Sequence, residues 1–279
     1  MKAPTRKIRV LRIINRFNLG GPTFNVTYLT KYMNDDFETL LLGGEKDDSE
    51  ASSDFILKSE GLNPSYIPNM RRSISPKNDL IAYKFIKKKI EEFKPDVVHT
   101  HASKAGTLGR LAAIHSGVPI VLHTFHGHVF HSYFGKAQTT FYKFIERYLA
   151  KNSSRIIAIS KQQKKELGEI HEIVNPSKIE IVPLGFDLSR FTESQHEKRS
   201  GFREKYRLSE NDVAVSIVGR LVPVKDHETF FKSIANLPDE IKRKARFFVV
   251  GDGELSNELR LICDELGLKY TNNEPPTAE

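Results

Sequence analysis

Short runs of β-branched residues alternate along this chain with longer stretches whose apolar positions recur every three or four residues. Eight runs read as strands: Ile8–Ile14, Glu38–Leu42, Asp96–Thr100, Pro119–Thr124, Arg155–Ser160, Lys178–Leu184, Val213–Val218 and Arg246–Gly251. Between them lie amphipathic helical patterns. In Leu80–Phe93, Ile81, Phe85, Ile86, Ile90 and Phe93 share one face, while Lys84, Lys87, Lys88 and Lys89 turn outward. That lysine run is read as a solvated face in preference to a membrane-binding one. The alternation predicts an α/β chain with a parallel sheet built from βαβ units.

The charged segment Thr192–Asn211 separates the sixth strand candidate from the seventh, and its composition marks it as the interdomain connection. The expected organisation is a Rossmann-like first domain over 1–191, a connecting segment over 192–211 and a partial second domain over 212–279. Val213–Asn236 and Arg246–Leu266 supply two βα units to the second domain. Two units cannot cover both faces of a parallel sheet. The tail KYTNNEPPTAE is polar and reads as a frayed end.

Composition narrows the partners. Hydrophobic residues at 39% and charged residues at 28% favour a globular chain over a disordered one. A net charge of +8 points to an anionic partner: a phosphorylated small molecule, an acidic membrane surface or nucleic acid. Nucleic acid is disfavoured because no recognition motif accompanies the lysines. Arg9, Arg12 and Arg16 break the apolar N-terminal stretch, so a signal peptide is not expected. No stretch approaches the ~18 apolar residues of a membrane span, which leaves peripheral contact with an anionic membrane. The single cysteine, Cys263, excludes an internal disulfide, fits the cytosol and reads as a packing residue.

Val97–His131 holds seven of the ten histidines. His99 and His101 end one strand, and His123, His126, His128 and His131 run through and past the next. Ligands of open α/β sheets bind beyond the carboxyl ends of strands, so both groups would face one crevice. A zinc site is disfavoured, because no Asp or Glu lies between Asp96 and Glu146 to ligate a metal or orient its imidazoles. The acid-free stretch, with Lys104, Arg110 and Lys136, looks better suited to phosphates.

Three further features carry candidate chemistry. Gly20-Gly21-Pro22 follows the first strand and precedes a helix expected near Thr23, where backbone amides could approach an anion; a plain tight turn is the alternative. Gly219-Arg220 and Lys225 follow the strand Val213–Val218 and could clamp a diphosphate, unless they pair with Asp226 or Glu228. Gly251 and Gly253 follow the last strand and suit close approach by a nucleotide.

Taken in order, VVHTHASKAGTLGRLAA, HTFHGHVF, IAISKQQKKEL, IEIVPLGFDLSRF, GRLVPVKDHETF and VVGDGEL resemble the retaining glycosyltransferases of family four, closest in type to those of bacterial exopolysaccharide and lipopolysaccharide assembly. The resemblance runs from about Ile8 to Leu266 and implies a GT-B fold of two Rossmann-like domains. In such a fold the first domain mainly holds the acceptor and the second the sugar nucleotide. It implies donor-phosphate contacts from Gly20, Gly21 and Gly219, a contact of His126 with the donor sugar, and stabilisation of the departing diphosphate by Arg220 and Lys225. Gly251 and Gly253 would lie near the nucleotide. His99, His101, Lys104 and His128 would line the acceptor cleft, while His115 and His123 are read as structural. The implied reaction moves a hexosyl unit from a UDP-linked donor to a lipid-linked or saccharide acceptor, with retention and without a metal, at the cytoplasmic membrane face. Beyond VVGDGEL the family continues for roughly a hundred residues, an ordinary domain remainder, through two glutamates with seven residues between them. No such pair follows here. The second domain is therefore expected to be about half present, and the alternative is a non-catalytic half that binds acceptor or a partner subunit.

Overall fold

The structure, a computed structural model, describes residues 6–47, 52–71, 73–127 and 135–272; His128 and His131 lie outside the described residues. The chain divides into two compact units between Asp187 and Leu188.

In the first unit, strands and helices alternate: β1 (Ile8–Arg16), α1 (Gly21–Lys31), β2 (Phe37–Gly44), α2 (Asp54–Ser59), β3 (Ser65–Tyr66), α3 (Pro76–Phe93), β4 (Val97–His101), α4 (Ser103–His115), β5 (Ile120–Phe125), α5 (Lys136–Lys151), β6 (Arg155–Ala158), α6 (Lys161–Lys165) and β7 (Ile179–Ile181). The strands form one parallel sheet in the order β3-β2-β1-β4-β5-β6-β7. All six strand candidates of this region are present. The added β3 has two residues, too few for a periodic signal.

Register sorts the central side chains onto two faces. Leu11 pairs with Val98 and Val98 with Val121, so these three share a face with Ile13, Thr100 and His123. That face packs under α3 and α4 through Ala82, Ile86, Ile90, Ala105, Ala112 and Ala113. Arg12 pairs with His99 and lies with Ile14, His101 and Thr124 on the other face, where Val26 of α1 and Leu57 of α2 meet Ile14 and Leu41. Two glycines let α4 lie close to the strands: a Cβ at Gly106 would strike the His123 ring, and one at Gly109 the Thr100 methyl. Between α4 and α5, fully buried Arg110 donates to Glu146 Oε2 at 2.6 Å and to the Gly106 carbonyl at 2.7 Å.

The second unit holds α7 (Ser189–Thr192), α8 (Gln195–Lys205), β8 (Val213–Val218), α9 (His227–Ala235), α10 (Asp239–Lys244), β9 (Ala245–Val250) and α11 (Ser256–Glu265). β8 and β9 pair in parallel, and Leu221, Phe231, Ile234, Leu259 and Cys263 form its core. The segment 192–211, expected as a connection, instead contains α8, which belongs to this unit. Phe202 and Tyr206, four residues apart, set an aromatic stripe against Phe248 with centroids 5.1 and 5.0 Å away. Periodicity of two rings outweighs the charge around them.

Candidate functional site

The strand order reverses direction between β1 and β4, the position at which open α/β sheets bind ligands. Two helix N-termini open there. α1 begins at Gly21, with Gly20 in extended geometry as its cap and no acidic residue in the first turn. A Cβ at Gly21 would meet nothing within 4 Å, so this side of the turn is open to an approaching group. α4 begins after Ala102, which holds φ 65°. A residue with a Cβ rarely adopts that value, and strain of this kind concentrates at functional sites. Neither helix has a capping side chain; in α1 Pro22 has no N–H and Thr23 N donates to the Gly20 carbonyl at 3.1 Å, which leaves the Gly21 amide toward an anion, whereas α4 opens with the amides of Ser103, Lys104 and Ala105.

Beside these termini stands a column of imidazoles. His99 and His101 project from the same face of β4, their ring centroids 4.1 Å apart. His101 stacks in turn on His126, with centroids at 5.3 Å and Nδ1 3.0 Å from His126 Nε2. One of these nitrogens carries the hydrogen and the other accepts it. His99 Nε2 lies 2.8 Å from Thr124 Oγ1. At the base, Arg12 is 3% exposed and donates from Nη1 to Thr30 Oγ1 at 2.8 Å; its Nε has no partner among the described residues.

Burial sets the protonation of the column. It pushes His126 down to about 4. His99 and His101 are held well below the ordinary imidazole value, first by burial and then by neighbouring charge, Arg12 included. Arg12 itself is pushed down to about 10 by burial. The imidazoles are therefore neutral near pH 7 and act as hydrogen-bonding groups. His126 Nδ1 and His101 Nε2 are buried and have no partner among the described residues, and His126 is the least buried ring of the column.

This arrangement corrects several sequence expectations. His99 and His101, at 6% and 0% exposed, do not line an open cleft but lie beneath His126, because consecutive inward positions of a central strand are covered by the sheet's own layers. Lys104 is not a free cation: its Nζ donates to Asp79 Oδ1 at 2.5 Å and to the Ser73 carbonyl. Arg110 is likewise engaged by Glu146. The stretch is acid-free in sequence, yet α3 and α5 bring acids to it in space. His128 falls outside the described residues. His123 is buried with Nδ1 2.8 Å from Thr100 Oγ1, and His115 Nδ1 lies 2.8 Å from Tyr83 Oη. Among the described residues no group of three or more His, Cys, Asp and Glu is placed to hold a metal ion. Arg12 and Ala102 were missed by sequence reasoning. An arginine between the apolar residues Leu11 and Ile13 of a central strand was the available signal for the first; an alanine gave none for the second.

In the second unit, Arg220 and Lys225 follow β8 and are exposed. The Lys225 stem passes Gly219, where an added Cβ would sit 3.6 Å from Lys225 Cδ and Cε. The acids that could have neutralised them are engaged elsewhere: Asp226 Oδ1 caps α9 by accepting from Thr229 N at 3.4 Å, and Glu228 pairs with Lys232 at 2.6 Å. Gly251 and Gly253 have a structural reason to be glycine. Gly251 has φ 155°, and side chains at these positions would collide with the carbonyl oxygens of Gly219 and Leu221. The loop after β9 thereby bonds the loop after β8, Gly219 N to Val250 O and Leu221 N to Asp252 O, each at 2.9 Å.

Comparison with known proteins fits this architecture. Residues 20–190 match the family described as Glycosyltransferase Family 4, and residues 198–272 match Glycosyl transferases group 1. The chain is similar to the UDP-Gal:alpha-D-GlcNAc-diphosphoundecaprenol alpha-1,3-galactosyltransferase of Escherichia coli, 35% identical over 209 residues that cover 72% of this chain and 52% of that one. It is 28% identical over 183 residues to the D-inositol 3-phosphate glycosyltransferase of Mycobacterium sp. (strain KMS), covering 62% and 39%. The chain thus spans about half the length, or less, of these relatives. Among solved structures, a glycosyltransferase from Rickettsia africae superposes with TM-score 0.68 at 19% identity, covering 95% of this chain and 66% of that one. A UDP-GlcNAc 2-epimerase from Neisseria meningitidis bound to UDP-GlcNAc superposes with TM-score 0.64 at 14% identity, covering 97% and 73%. These likenesses establish a GT-B-like fold, which transferases and epimerases share, so the fold alone does not select the reaction. The matched family covers more than half of the residues: the chain belongs to glycosyltransferase family 4.

Proposed function

We propose that the chain transfers a hexosyl unit from a UDP-sugar to a hydroxyl of a lipid-diphosphate-linked or free saccharide, with retention, during surface polysaccharide synthesis at the inner face of the cell membrane. The observation that carries this reading is the pair Arg220 and Lys225, exposed at the carboxyl end of β8 with neighbouring acids occupied, in a chain similar to a UDP-Gal transferase.

In the reaction the bond from the anomeric carbon to the diphosphate oxygen breaks, and its electron pair leaves with UDP. The acceptor oxygen bonds to the anomeric carbon, and its proton passes to the departing phosphate. Negative charge develops on the diphosphate, where a guanidinium and an ammonium stabilise the transition state more than the ground state. His126, neutral and with Nδ1 unpartnered among the described residues, binds a sugar hydroxyl. Gly20 and Gly21, with no Cβ in the way, leave the Gly21 amide at the start of α1 open to an anionic group.

The test is release of UDP from a panel of UDP-hexoses with a lipid-diphosphate-linked sugar as acceptor. Arg220→Ala and Lys225→Ala should each lower turnover about 10²-fold, the order lost with an oxyanion-type donor. Unchanged turnover in both variants would remove them from the mechanism. Because protein cations supply the positive charge, a chelator should leave the rate unchanged. Loss of activity restored by a divalent ion would overturn that part.

A further inference from the structure

We propose that the outer face of α5 is a docking surface for an anionic lipid bilayer. The helix is apolar on two sides. One side packs inward, with Tyr142 and Ala150 against the core around Phe125 and Ile156 and with Leu149 buried. The other carries Phe141, Phe144 and Tyr148, which are 60%, 69% and 48% exposed. Spacings of three and four residues align these rings in one stripe along the helix. A contiguous exposed aromatic stripe marks an interaction site more strongly than scattered apolar residues do.

Charge chooses the partner. Besides its rings, the helix carries the cations Lys143, Arg147 and Lys151, and a single acid, Glu146. That acid turns inward to the buried Arg110 guanidinium, so α5 presents rings and cations with no carboxylate of its own. Arg147 is held in place at the surface by donating to the carbonyls of His171 and Glu172 at 3.0 and 2.9 Å. Phenylalanine and tyrosine rings settle at the border of headgroups and acyl chains while adjacent cations meet lipid phosphates, the chemistry of an interfacial helix. At 16 residues and with these charges, α5 does not span; among the described residues no helix is long and apolar enough to cross a membrane.

A second copy of the chain fits this face less well, since a two-fold contact would set Arg147 and Lys151 of one copy against those of the other. The lysine-rich α3 makes a useful contrast. Lys88 and Lys89 pair with Glu92 at 3.7 and 2.8 Å, and the helix exposes Leu80 and Ile81 but no large aromatic stripe. The inference adds a surface to the membrane-side acceptor of the proposed function, yet its test reads no turnover, so either can fail without the other.

The chain has no tryptophan, so Phe144→Trp introduces one reporter. Its emission should shift to the blue with vesicles of phosphatidylcholine and phosphatidylglycerol, and should stay in place with phosphatidylcholine alone. In co-sedimentation with the mixed vesicles, Phe141→Ser/Phe144→Ser/Tyr148→Ser should bind at least roughly tenfold more weakly at unchanged net charge, with its melting temperature retained because all three positions are exposed. Leu80→Ser/Ile81→Ser on α3 should bind as the parent does. Unmoved emission, equal binding by the triple variant, or equal loss from the α3 variant would overturn the proposal. So would a dimer in light scattering that the triple variant converts to monomer, since the face would then serve a second copy.

Discussion

His126 owes its character to the residues beneath it. With His101 on its Nε2 and burial pushing it down to about 4, it stays neutral and oriented. His101→Leu removes that partner and should lower turnover about tenfold, the factor that corresponds to one buried hydrogen bond of ~1–1.5 kcal/mol. His101→Gln keeps a polar group there and should recover part of the loss; equal rates in the two variants would show that packing alone matters. The column and His123, on the sheet's other face, also link stability to pH. His99, His101, His123 and His126 all titrate lower folded than unfolded, so between pH 6.5 and about 4 the unfolded chain binds more protons and stability falls as pH falls. Thermal melts from pH 7 to 5, where most carboxylates stay ionised, should show this decline, and a flat profile would contradict it. At this scale the sequence marked His126 and the cation pair after β8. It misjudged Lys104 and Arg110, because the acids that engage them, Asp79 and Glu146, lie 25 and 36 residues away along the chain.

Elements were easier to read than single side chains. Val213–Val218 appears as expected, and the other strand candidates shift only at their ends, because each carries a run of β-branched and other apolar residues that strands favour. α8 was hidden within a charged segment, since only two aromatic residues mark its packed face. The contact between α4 and α5 was not legible at all, as nothing local in Arg110 or Glu146 announces a buried pair. Glu146→Ala should therefore destabilise the first unit by about 3–5 kcal/mol, the usual cost of leaving a buried charge alone. Chemical denaturation would measure it, and a change below ~1 kcal/mol would mean that solvent reaches Arg110 in solution.

Across the whole molecule, the alternating pattern foretold a parallel α/β chain, and the ordered motifs foretold the family. The two units differ in how well their sheets are covered. β1 and β4 are buried on both faces, whereas Val218 and Val250 at the ends of β8 and β9 are 71% and 52% exposed. Amides of β8 and β9 should therefore exchange with solvent faster than those of β1 and β4; equal protection would show that the second unit is stabilised by something beyond its own core. The central claim is glycosyl transfer, and the most direct measurement follows the sugar itself. Incubating the protein with UDP-[14C]hexoses and a lipid-diphosphate-linked acceptor, then extracting lipid, should move label from one donor into the lipid fraction, with an α-linked product from an α-linked donor. No acceptor-dependent label with any donor, despite acceptor binding by the same preparation, would contradict the account and identify the chain as a binding module.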